Sequence, residues 1–129
     1  MKLKDFRNKE IMLDTNIIIF QLNGKIDLAD ELALAKLRGI SVITQSELYA
    51  GVEQSDILFL QEYLENFSVI PLSSEIATLA GAYKSLFPNR GLKDLLIAAT
   101  AEVNKLTLLT NNYKDFEGLV SKIYKITVS

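Results

Sequence analysis

Neither cysteine nor histidine occurs among the 129 residues. The first absence excludes disulfides, thiolate metal sites and cysteine nucleophiles. The second removes the commonest general base and the commonest zinc ligand. Glycine (6) and proline (2) are too sparse for a linker or a low-complexity tail. No apolar run approaches the ~20 residues that span a bilayer. The amino terminus, through Glu10, is charged and lacks an apolar h-region, so it does not read as a secretory signal. A soluble, cytoplasmic protein with no membrane partner is expected. Whatever chemistry it performs must run on carboxylates, hydroxyls, amides, Lys or Arg.

What is present suffices for one core. Hydrophobic residues make up 49% of the chain, and its length suits one domain and is too short for two ordinary ones. Residues 1–129 are therefore read as a single domain, with 1–9 as an N-terminal arm or part of an interface. The net charge of −2 argues against binding nucleic acid by bulk electrostatics alone. It does not argue against reaching a phosphodiester through a bound cation. The basic residues are uneven: Lys2, Lys4, Arg7 and Lys9 crowd the first ten positions, and Lys84, Arg90 and Lys93 a later stretch. Such clusters more often mark a solvated surface than a nucleic-acid patch.

Along the chain, residues 10–13 form a short apolar run ending in the cap-type residues Asp14-Thr15-Asn16. Helical spacing of apolar residues over 26–38, closed by Gly39, predicts a helix, and 40–43 a second strand. Helices are predicted from Thr44 to Val52, over 55–65, from Ser73 to about Phe87, and over 94–104. Strands are predicted over 67–70, 106–109 and, at an edge, 123–128. Strands alternating with helices indicate an α/β domain with a mainly parallel sheet. Ligands bind such sheets beyond the carboxyl ends of the strands. That rule selects Asp14, the segment 44–47 with Glu47, the helix start at Asp94, and the segment 110–115 with Asp115.

Each acid also has a structural reading. Asp14 or Asn16 could cap a helix. Thr44-Gln45-Ser46-Glu47 fits a capping box. Asp94 could be an N-cap, and Asp115 could order a turn. Together, four carboxylates at one sheet edge repel one another unless something positive sits among them. A hard dication, Mg²⁺ or Mn²⁺, suits such an all-oxygen site. It would activate water and neutralise charge on a phosphoryl group, which makes phosphodiester hydrolysis the natural reaction class.

At these residues the chain resembles the PIN-domain family, in particular VapC-type toxins. Met12-Leu13-Asp14-Thr15-Asn16 resembles the family's opening strand and first acid, and Ser46-Glu47-Leu48-Tyr49-Ala50-Gly51 its second motif. Asp94-Leu95-Leu96-Ile97-Ala98-Ala99-Thr100-Ala101 resembles the third, and Leu109-Thr110-Asn111-Asn112-Tyr113-Lys114-Asp115-Phe116 the fourth. One such motif is weak; four in order, over nearly the whole chain, are specific. The resemblance implies a three-layer α/β/α sandwich and a Mg²⁺- or Mn²⁺-dependent endoribonuclease. It also implies an RNA substrate, a small antitoxin partner and a homodimer. Asp14, Glu47, Asp94 and Asp115 would be catalytic and metal-binding, with Thr15 and Thr110 orienting them and Asn16 supporting. Many relatives carry an acid where this chain has Asn112, so either Asn112 or Asp115 completes the site, with one metal or two.

Arg90 and Lys93, just before Asp94, are candidates for attracting the RNA backbone, or are two solvated loop charges. The alternative function is a catalytically inactive PIN-like binding or scaffold module. A receiver domain would need paired acids after the first strand, and a haloacid-dehalogenase-type phosphatase would need a second Asp at position 16. The chain supplies neither.

Overall fold

The structure, a computed structural model, describes residues 3–128. The first apolar run becomes β1 (Glu10–Leu13), the middle strand of a five-stranded sheet. β2 (Leu37–Ser41) and β3 (Ser68–Ile70) lie on one side, β4 (Thr107–Thr110) and β5 (Ile123–Lys125) on the other. The order is β3-β2-β1-β4-β5 and every pairing is parallel.

A parallel sheet needs both faces covered, which is why its central strands are apolar throughout rather than alternating. Ile11 and Leu13 point to one core and Met12 to the other. The first core packs against α1 (Thr15–Leu22), α2 (Ala29–Leu34), α3 (Val42–Gly51) and α4 (Ile57–Leu64) through Ile17, Ile18, Leu32, Leu48, Leu60 and Leu64. The second packs against α5 (Ser74–Leu86), α6 (Leu92–Val103) and α7 (Tyr113–Phe116), with Ala98, Ala99 and Ala101 letting α6 approach closely. The result is the three-layer α/β/α sandwich. Each fully buried Leu, Ile or Met contributes ~1.5–3 kcal/mol relative to exposure. Among the described residues, no helix is long and apolar enough to cross a membrane.

Several local expectations are corrected. The helix expected over 26–38 is only α2, because Leu37 and Gly39 pair with Glu10 and Met12 in β2. Gly39 is thus a strand residue rather than a helix stop: a Cβ there would stand 2.8 Å from Ile70 Cδ1. The strand expected over 40–43 consequently ends at Ser41, and α3 begins at Val42 rather than Thr44. Ser41 is its N-cap, accepting from the Ile43 N–H at 3.0 Å, so the expected capping box from Thr44 to Glu47 does not form. Likewise Gly91, not Asp94, is the N-cap of α6. The expected arm is described from residue 3, and its later part lies on the domain. Phe6 is buried against the Tyr124 ring, centroids 5.2 Å apart, and the Asn8 N–H donates to the Leu34 carbonyl at 3.0 Å. Residues 1 and 2, including Lys2, lie outside the described part.

The chain leaves β1 toward β2 and β3, then returns to the other side of β1 to form β4 and β5. The switch in direction falls between β1 and β4, and a crevice opens beyond their carboxyl ends. The first residue past β1 is Asp14; the last of β4 is Thr110.

Candidate active site

Asp14 is fixed by both strands. Its N–H donates to the Leu109 carbonyl at 3.0 Å, extending the ladder one residue past β1. Its Oδ1 accepts from the Thr15 N–H at 2.8 Å, capping α1, and its Oδ2 accepts from the Thr110 hydroxyl at 2.9 Å. Capping and site-facing are therefore the same job here. Thr110 in turn accepts from the Asn112 N–H at 3.0 Å, so its single proton is committed to Asp14.

Glu47 reaches the crevice from the second turn of α3. Its Oε1 accepts from the Thr15 hydroxyl at 2.8 Å. Thr15 and Thr44 hydroxyls are 2.9 Å apart. Thr15 spends its proton on Glu47, so Thr44 donates to Thr15, giving a relay Thr44 to Thr15 to Glu47. Thr44 is wholly buried. Sequence reasoning gave it a capping role and missed this one. The available signal was its i, i+3 spacing to Glu47, which puts both on one helix face.

Asp94, at the third position of α6, and Asp115, on α7, complete the ring of acids. A cavity of about 240 Å³ is lined by Asp14, Thr15, Asn16, Glu47, Asp94, Asn112 and Asp115, with Ile19 and Phe116 as its apolar walls. Asn112 donates its side-chain amide to the Asp115 carboxylate, so the two candidates for the fourth position form one unit. Lys93 sits at the rim, its Nζ 3.3 Å from Glu47 Oε2. Arg90 does not line the cavity. Its guanidinium stacks 4.4 Å from the Phe87 ring centroid and donates to the Glu117 carbonyl at 3.1 Å, tying the loop before α6 to the end of α7.

Asp14 and Asp94 carry the electrostatic signature of a cluster that Lys93 compensates only in part. Asp14, only 5% exposed, is pushed up to about 6, first by burial and then by the charges of Asp94 and Glu47, against the pull of its hydrogen bonds. Asp94 is also raised, by burial, then by Asp115 and Glu47, with Lys93 opposing. Burial and like charges both disfavour ionisation, and a cation among them reverses both effects.

A divalent cation fits this donor chemistry: all ligands on offer are carboxylate, amide or hydroxyl oxygens, the set preferred by Mg²⁺ and Mn²⁺. Among the described residues, no three acids stand close enough to grip an ion as they are. The openness suits Mg²⁺, which keeps several waters and takes only one or two carboxylates directly. A second cavity, lined by residues including Gln21, Leu32, Arg38 and Tyr63, holds no acid, and Arg38 is spent there on the Leu32 and Asn66 carbonyls.

The fold is thus a parallel α/β sheet with an acid-lined, all-oxygen crevice at its switch point. The PIN domain model matches residues 11–119, and the chain belongs to that family. It is 34% identical over 113 residues to a protein named Ribonuclease VapC10 from Mycobacterium tuberculosis, covering 82% of this chain and 85% of that one. It is 31% identical over 125 residues to Ribonuclease VapC2 from Rickettsia felis, covering 87% and 93%. Among solved structures, the fold matches that of VapBC2 from Rickettsia felis bound to a promoter DNA fragment (TM-score 0.79, 26% identity, 91% of this chain and 98% of that one). It also matches VapBC-1 from nontypeable Haemophilus influenzae (TM-score 0.78, 25% identity, 89% and 96%).

Proposed function

We propose that this chain is a divalent-cation-dependent endoribonuclease, acting in the cytoplasm as the toxin of a toxin–antitoxin pair. The observation that carries the reading is the single crevice into which Asp14, Glu47, Asp94 and Asp115 all project. The relatives named as ribonucleases supply the substrate class. An inactive binding module is disfavoured: nothing in folding requires four acids around one cavity, and their mutual repulsion opposes it.

In this reading the four acids would hold Mg²⁺ or Mn²⁺ between them, one or two directly and the rest through its waters. When bound, the cation supplies positive charge for the phosphoryl oxygens and makes water a stronger acid. The protein's own part is orientation. Thr110 fixes the Asp14 carboxylate and Thr15 fixes Glu47, both at the cavity wall. Such supporting hydrogen bonds commonly weigh 10- to 100-fold in affinity or activity. Ile19 and Phe116 border the acids with apolar surface, which lowers the local dielectric and strengthens their attraction for a cation. Lys93 on the rim, with Arg90 behind it, attracts the RNA backbone.

The antitoxin reading rests on one surface and on the likeness of the fold to a toxin–antitoxin complex from Klebsiella pneumoniae (TM-score 0.74, 29% identity, 91% of this chain and 100% of that one). An apolar crevice lined by Ile19, Leu22, Leu48, Gly51 and Leu60 shares Ile19 and Glu47 with the acidic one. A partner laying an apolar segment there could place a basic side chain among the acids. Pairing of two copies into a homodimer follows from the family resemblance. The direct test is incubation of purified protein with single-stranded or looped RNA. Cleavage is expected with Mg²⁺ or Mn²⁺ and none in excess chelator; equal cleavage in chelator sinks the metal reading. Expression alone should slow growth, and the small protein of an adjacent gene should relieve it.

A further inference from the structure

The two oxygens of Glu47 are held very differently. Oε1 takes the Thr15 hydroxyl at 2.8 Å, backed by the wholly buried Thr44. Oε2 takes the Lys93 ammonium at 3.3 Å, from a side chain that is 72% exposed. Among the described residues this is the one ion pair within 4.0 Å. It is notable that the basic partner falls at the rim of the acidic crevice, one residue before Asp94. One oxygen is thus anchored by buried structure and the other by a partner that can leave.

We propose that Lys93 is a positioning residue with two alternating partners: it neutralises Glu47 while the crevice is free of cation, and is displaced onto the RNA backbone when a divalent cation takes Glu47 Oε2. The role rests on the cation site proposed above. An ammonium and a dication cannot share one carboxylate oxygen without strong like-charge repulsion. The ammonium carries one charge on a flexible stem, whereas a dication can answer several acids at once. Exposed ion pairs are weak, so displacement is reversible. Meanwhile the Thr15 anchor keeps Glu47 aimed at the cavity, so the exchange moves the lysine and leaves the acid in place. The freed ammonium stays on the first turn of α6, at the mouth of the crevice, where a phosphate oxygen is its natural new partner. Cation loading and RNA capture are then coupled through one side chain, and the loaded protein presents a positive charge that the unloaded one keeps on Glu47.

Titration with Mn²⁺ alone, without RNA, followed by calorimetry and by thermal shift, tests this. Lys93→Gln removes a competitor, so Mn²⁺ should bind roughly five-fold tighter than to wild type, the factor that corresponds to losing an exposed pair of about 1 kcal/mol. Lys93→Arg should keep wild-type affinity. In a Glu47→Gln background, Lys93→Gln should give no gain, because the negative charge for which lysine and cation compete has gone. An equal gain in both backgrounds would mean Lys93 acts only through the general field and would overturn the exchange, as would no gain in either. A wild-type protein with no saturable Mn²⁺ binding would instead remove the cation site itself, and the exchange with it.

Discussion

Asp14→Asn isolates the electrostatic strain of the crevice. The wild-type carboxyl is 5% exposed and moves from an ordinary 3.8 to about 6. Burial is the largest cause, so the folded state prefers the protonated form. The folded protein then binds more protons than the unfolded chain between those two values, and stability falls as pH rises through that window. Each pH unit is worth about 1.4 kcal/mol, so ionised Asp14 costs the cation-free protein about 3 kcal/mol above pH 7, relative to below pH 4. Asn keeps the shape and an acceptor for the Thr15 N–H. Its amide can donate to Thr110, whose oxygen accepts. In excess chelator the variant should therefore be more stable than wild type at pH 8, by about 2–3 kcal/mol or several degrees in Tm. The gap should shrink toward zero near pH 4, where both side chains are neutral. Urea denaturation followed by circular dichroism at both pH values measures it. A variant less stable than wild type at pH 8, or a gap that does not change with pH, would refute the reasoning and leave Asp14 as a cap alone.

Asp115→Asn should raise the Mg²⁺ concentration for half-maximal cleavage and Asn112→Asp should lower it, because the Asn112 amide now spends itself on Asp115; no change for Asp115→Asn makes it a turn residue. Thr110→Val leaves Asp14 Oδ2 and the Asn112 N–H each without a partner, so it should cost about 1–3 kcal/mol in urea melts. It should also cut cleavage about ten-fold, and unchanged cleavage would remove Thr110 from the site. Replacing Arg90 and Lys93 together with Ala should weaken RNA binding and reduce the slope of its logarithmic salt dependence by about one to two. An unchanged slope places the RNA elsewhere.

Much of the fold was legible because the strands are short apolar runs bounded by polar caps, and Asp14 sits where such a run ends. The parallel sheet followed from alternation with helices. Helical spacing over 26–38 misled, because pairing of Leu37, Arg38 and Gly39 with β1 outcompetes local periodicity, and pairing is a long-range property that spacing cannot reveal. The same shift moved the start of α3 and turned Thr44 from a cap into the buried end of a hydroxyl relay. In the site, the four acids could be read from their places after strands and at helix starts. Their partners could not. The contacts of Thr110 with Asp14, Thr15 with Glu47 and Lys93 with Glu47 join residues distant in sequence, and only the folded switch point brings them together. Arg90 illustrates the limit from the other side: its charge was visible, but not its commitment to Phe87 and the Glu117 carbonyl.

Cleavage of a single-stranded RNA in Mg²⁺ or Mn²⁺ by Asp14→Asn, Glu47→Gln and Asp94→Asn, each first shown to be folded, tests the catalytic role of the acids most directly. The substitutions keep size and hydrogen-bonding capacity while removing one negative charge apiece. Each variant should lose cleavage by orders of magnitude while still binding Mn²⁺, more weakly, through the acids that remain. Folded variants that cleave at the wild-type rate would show that the acids are structural and that the crevice is not where RNA is cut.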